Sequence, residues 1–300
     1  MLFLRSIQLF LAVVVLTNCS NRLASGVDLY VSNSSTGTIS KIDTSGVATT
    51  FATGLSTPRG LAFDTAGNLY VANSIASGTI SKIYTLGNVT SFATGLSNPI
   101  GIAFDNSGTL LYVANGGNNT ISKIDSLGNV TAFATGLNAP RGLAFDTSGN
   151  LYVSQNGDNS IGKINSGGTL STFVSSGLSG PGGLAFDNSG YLYVANSTGA
   201  NIKKVDTSGT VSSFATSVGF PVGIAFGASG NLFASNNSGS TPNILEITTA
   251  GSSSTFSTGV LGLSYMAFAP VIVPEPSSFV LAALASGVLW MMARKRSALS

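Results

Sequence analysis

Histidine is absent from the 300 residues, and cysteine occurs once, at Cys19. These absences exclude histidine-based acid–base catalysis, histidine-ligated metal centres and any disulfide within the chain. Charge is scarce too, at 8% of residues, and glutamate stands only at Glu246 and Glu275. The formal charge of +2 comes from the ends: between residues 27 and 269, eight Lys/Arg face ten Asp/Glu. A chain with that balance carries no basic footprint for nucleic acid. With hard-oxygen ligands so thinly spread, no metal or other cofactor is expected.

Glycine, by contrast, is abundant at 37 residues within a 43% hydrophobic composition, which suits many short strands joined by tight turns. The strands repeat. A Gly-Leu-Ala-Phe-Asp run, a turn and a Leu-Tyr-Val run return with phenylalanine at Phe63, Phe104, Phe145, Phe186, Phe226 and Phe268, a period of 40 to 42 residues. Each unit holds four strand-like segments, a to d, as a β-propeller blade requires. Segment b recurs at Leu29, Leu69, Leu111, Leu151, Leu192 and Leu232, and segment d at Phe51, Phe92, Phe133, Phe173, Phe214 and Phe256.

The first unit lacks segment a, and an orphan copy, Tyr265-Met266-Ala267-Phe268-Ala269, follows the sixth segment d. Pairing it with Leu29–Val31 completes six blades, closes the ring by one C-terminal and three N-terminal strands, and removes exposed edges. The expected fold is therefore an all-β, six-bladed β-propeller spanning residues 25–270, monomeric. Within each unit Asp64-Thr65-Ala66-Gly67 and its copies read as turns, with aspartate accepting amide hydrogen bonds and glycine taking positive φ. Gly60, Gly101, Gly142, Gly183 and Gly223 open segment a, where backbones crowd at the axis. Ile39 and Ile42 fall on opposite faces of segment c, facing the two neighbouring blades. Lys41, Lys82, Lys123, Lys163 and Lys204 share one segment c position and are expected to snorkel. Glu246 takes that place in the sixth unit, where it could pair with a lysine of an adjoining blade.

The ends differ in kind. Residues 1–24 combine Arg5, an apolar run from Leu9 to Leu16 and a small polar end, the pattern of a secretory signal peptide. Leu16-Thr17-Asn18-Cys19 resembles a bacterial lipobox with Asn18 in place of Gly or Ala, so lipidation of Cys19 and ordinary cleavage both remain open. After residue 271 come Val273-Pro274-Glu275-Pro276, an apolar stretch from Phe279 to Ala293, and Arg294-Lys295-Arg296. The basic end keeps the C-terminus in the cytoplasm by the positive-inside rule.

That order of parts resembles the PEP-CTERM sorting signal. The resemblance implies an exosortase as processing partner, export across the inner membrane, transient anchoring by a hydrophobic helix over residues 277–293, and delivery to the cell surface or extracellular matrix. The repeats resemble the NHL family: Pro58 to Asn73 follow its pattern almost throughout, with Asn73 where that family ends in Asp. They are also similar to the streptogramin B lyase and gluconolactonase-like propellers. Those enzymes imply a catalytic histidine or an axial divalent metal, and the first is missing here altogether.

The b–c and d–a loops share one end of a propeller. Asn33, Asn73, Asn115, Asn156, Asn196 and Asn236 are expected to ring that mouth, joined by Arg59 and Arg141, which stand where other units have Ile100, Gly182 and Val222. Such a face suits an exopolysaccharide or a protein partner, and no catalytic residue is assigned. The competing class is a lyase- or lactonase-like enzyme built from Asp, Asn and Arg.

Overall fold

The computed structural model describes residues 27–238, 242–260 and 262–270. The expected signal peptide with Cys19, and the expected sorting tail with Val273, Pro274, Glu275, Pro276, Arg294, Lys295 and Arg296, lie outside these residues. No helix occurs among the described residues, whose strands form six four-stranded sheets. Blade 2 is typical, with strands a to d at Pro58–Phe63, Leu69–Asn73, Gly78–Ile83 and Val89–Leu96, paired antiparallel in that order.

Blade 1 closes the ring as its missing strand requires. Its strand a, Leu263–Phe268, pairs antiparallel with strand b, Leu29–Asn33, in a register that sets Leu29 opposite Phe268 and Val31 opposite Met266. The amide of Ala269 also donates to the Asp28 carbonyl at 3.1 Å.

Burial falls off outwards through each sheet. Strand b is covered over its whole length in blade 2, because neighbouring blades pack on both faces. The outermost strand is far more open: Ala48–Ala52 of blade 1 is exposed at its centre and buried only at its last residue. Six buried clusters result, one for each pair of adjacent blades. Ile39 packs with Leu61, Leu69 and Ile83 of blade 2, whereas Ile42 packs with Phe233 and Ile244 of blade 6. The opposed faces expected of segment c are thus present, and both isoleucines are fully buried.

Every interface also carries an aromatic trio. Tyr70 meets Phe92 of its own blade at 4.9 Å and Phe104 of the next at 5.1 Å, both edge to face. Such pairs contribute about 0.5–1.5 kcal/mol each beyond burial. The a–b turns hold as expected: Asp64 accepts from the Asn68 amide at 2.8 Å and from the Asn68 side chain at 2.8 Å.

Candidate functional site: the axial mouth

The second and third residues of each strand a line the axis at the end bearing the b–c and d–a loops. The second positions are Arg59, Ile100, Arg141, Gly182, Val222 and Ser264. The third are Gly60, Gly101, Gly142, Gly183, Gly223 and, in blade 1 alone, Tyr265. The glycines are sterically required. A Cβ on Gly101 would overlap the Arg141 carbonyl, and one on Gly183 would lie 2.9 Å from the Val222 carbonyl oxygen.

Tyr265 therefore introduces a side chain into a ring otherwise built for none. Its phenol is buried, and that burial pushes its pKa up to about 12, against the opposing pull of Arg141 and then Arg59. Blade 4 stands across the ring from blade 1, so Arg141 acts on this phenol from the opposite side of the ring; Arg59 does so from the adjacent blade. Three side chains carried on the innermost strands of three blades are thus coupled electrostatically, both guanidinium groups acting on the one phenol.

Hydrogen bonds between blades fix this arrangement. The Ser32 hydroxyl donates to the Arg59 carbonyl at 2.6 Å and accepts the Tyr265 amide proton at 3.0 Å. On blade 4 the Ser154 hydroxyl accepts from the amide of Gly142, next to Arg141, at 2.8 Å and donates to the Gly182 carbonyl at 2.7 Å. Both arginines are half-buried. The Nε of Arg59 is buried with no hydrogen-bond partner among the described residues.

The asparagines expected to ring the mouth are largely turned into the blades. Asn33, Asn73, Asn115 and Asn196 are buried. Asn73 donates to Thr79 at 2.9 Å and Ser81 at 2.8 Å, while its carbonyl oxygen accepts the Ser56 amide at 3.3 Å. Asn115 repeats the pattern with Thr120, Ser122 and Ser97. Asn33 donates to Thr38 and Ser40, Asn196 to Asn201, and Asn236 to Asn243. Each amide ties strand b to strand c, and in blades 2, 3, 5 and 6 it also holds the incoming loop. In blade 4 the position belongs to Gln155, which donates to Ser160 at 2.9 Å and accepts from the Asn138 amide at 3.0 Å. Asn156, one residue further on, is outside the ring.

At the opposite end the lysines behave as the repeat requires. Lys41 pairs with Asp28 at 2.8 Å, Lys82 lies 3.6 Å from Asp64, and the Lys204 ammonium sits 3.9 Å from the centre of the Tyr191 ring. Glu246 takes a partner within its own blade, accepting from the Asn231 side chain at 2.8 Å, rather than a lysine of an adjoining one. Gly227 stands where blades 2 to 5 carry the turn aspartate, and it lines a groove of about 550 Å³ between blades 5 and 6, beside Asp187, Tyr193 and Lys204. A smaller groove of about 230 Å³, lined by the matching Asp105, Tyr112 and Phe133, lies between blades 3 and 4. These grooves belong to the repeat; the axial trio departs from it. Among the described residues no three His, Cys, Asp or Glu side chains converge, so the donor set does not fit an axial divalent cation.

A closed six-bladed propeller with two arginines and a phenol at its axis defines the class. The model of the virginiamycin B lyase family matches residues 96–264, more than half of the chain. The chain belongs to that family. Among solved structures, a chain of a nidogen/laminin complex is 21% identical with a TM-score of 0.72, covering 83% of this chain and 100% of that one. Selenomethionine-substituted virginiamycin B lyase from Staphylococcus aureus is 22% identical over 67% of this chain and 69% of its own, with a TM-score of 0.56. A catalytically inactive histidine-to-alanine variant of the S. aureus enzyme with quinupristin gives 20% identity, 82% and 93% coverage, and a TM-score of 0.61. Likeness at this level is likeness of fold. No curated protein matches the chain.

Proposed function

We propose that this propeller is a non-catalytic binding module, exported and sorted to the cell surface or matrix, that engages an exopolysaccharide through its axial mouth. The observation that carries this reading is the absence of histidine from a chain whose family includes an enzyme inactivated by the loss of one. The N-terminal apolar segment and the Pro-Glu-Pro tail with its basic end supply the motive for export, with an exosortase as processing partner. Because the asparagine amides at the ends of strands b are engaged inside the blades, the residues that set this mouth apart from the repeat are Arg59, Arg141 and Tyr265.

Family membership favours a second reading, a lyase or lactonase with an unfamiliar site. One experiment separates the two: purified full-length chain is incubated with matrix polysaccharide for pull-down, and in parallel with streptogramin and lactone substrates for turnover. Retention without turnover supports the binding module. Turnover abolished by Arg141→Ala establishes the enzyme instead.

A further inference from the structure

We infer that Arg59, Arg141 and Tyr265 form a receptor for one carboxylate or sulfate group carried on an acidic polysaccharide, a claim that deepens the proposed binding role and rests on it. The three groups are donors, carried on the innermost strands of blades 2, 4 and 1, and both guanidinium groups act on the phenol. Arginine has no acceptor atom, and the buried Tyr265 phenol stays protonated, so only an acceptor-rich group complements the set.

The surroundings leave that complement unsupplied. The ion pairs among the described residues join Lys41 to Asp28, Lys82 to Asp64 and Lys163 to Asp146, all at the far end of the ring. The second positions of strand a contain no acid to neutralise the arginines. Asp158, the carboxylate on the loops of the mouth end, is exposed, takes a hydrogen bond from Ser160 at 2.7 Å and makes no ion pair with either arginine. The buried Arg59 Nε lacks an acceptor, a cost that an entering anion would remove. Five units of the repeat place glycine where Tyr265 stands, so neither blade geometry nor core packing asks for this residue.

A pendant sugar acid fits better than a protein surface. Protein interfaces set their arginine and tyrosine anchors in a patch whose buried core is depleted of charge and rich in aromatic and other apolar area. At the mouth end only Ile75 and Phe220 are exposed among the large apolar residues described, whereas Val47, Tyr84, Leu86, Val89, Leu127 and Tyr191 belong to the opposite end.

The test is calorimetric titration of the full-length chain with oligogalacturonate and with its neutral methyl ester, a polyglutamate peptide serving as a third ligand. Wild type should bind the free acid, weakening with salt, and reject the ester. Arg141→Ala should weaken binding by at least about 30-fold, the lower bound for truncating one partner of a desolvated charge pair. Tyr265→Phe and Arg59→Lys keep bulk and charge and guard against misfolding, and each should give a smaller loss with an unchanged melting temperature. Equal binding of acid and ester, unaltered in the variants, overturns the anion receptor while leaving the binding module standing; polyglutamate binding as tightly as the uronate overturns the choice of polysaccharide. If neither the sugars nor the peptide bind, both readings fall.

Discussion

Replacing Tyr265 by phenylalanine should make the protein more resistant to alkali. The phenol titrates near 10 when the chain is unfolded and at about 12 when it is buried at the axis. A pKa raised by folding means that the contribution to stability is intact below pH 10 and disappears as the pH climbs through 12. Two pH units at roughly 1.4 kcal/mol each give a loss of about 2–3 kcal/mol attributable to this one group. Tyr30, Tyr70, Tyr112 and Tyr193 are also raised by burial, but they and the lysines titrate alike in both proteins and cancel in the comparison. Urea unfolding of wild type and Tyr265→Phe at pH 8, 10, 11 and 12 would measure the difference. Stability curves that run parallel across this range would show that the phenol is not buried at the axis.

Gly101→Ala sets a Cβ against the Arg141 carbonyl, a clash of backbone that no rotamer relieves, and should cost about 1–3 kcal/mol, seen as a melting temperature lowered by several degrees. Asn73→Ala removes the partner of Thr79, Ser81 and the Ser56 amide and should lose about 1–3 kcal/mol in chemical denaturation, with uronate affinity unchanged. Asp43, Asp125 and Asp206 are held below the ordinary carboxylate range, chiefly by side-chain hydrogen bonds from Ser45, Asn129 and Ser208 respectively. Their contribution is present above about pH 4 and is lost as the pH falls through the depressed values, so replacing all three by asparagine should flatten the decline of the urea midpoint between pH 5 and pH 2.

The repeat alone fixes the blade count, the seam and the inward glycines, because each follows from spacing and from backbone sterics. Arg59 and Arg141 are visible for a related reason: they break a pattern whose other copies are Ile100, Gly182 and Val222. Tyr265 breaks a stricter pattern and could have been found the same way, by aligning Leu263-Ser264-Tyr265 with Pro58-Arg59-Gly60. It escapes attention when the last strand is read only as the piece that closes the ring. The asparagines mislead in the other direction. Recurrence at the end of strand b fixes their position but cannot tell whether an amide turns outward or inward to Thr79 and Ser81. In blade 4 the neighbouring Asn156 draws the eye from Gln155, whose longer amide does the same work.

The two ends of the described chain leave from the same blade, side by side, where Ala269 bonds to Asp28. Any pull delivered from beyond residue 270 therefore enters through the strand Leu263–Phe268, which is held along one edge by strand b of blade 1. The same strand carries Ser264 and Tyr265 to the axis. Tension entering at Ala269, at the end of the ring opposite the mouth, would have to run the length of this strand before it reached Ser264 and Tyr265, so the strand pairing with Leu29–Asn33 stands between any pull and the mouth.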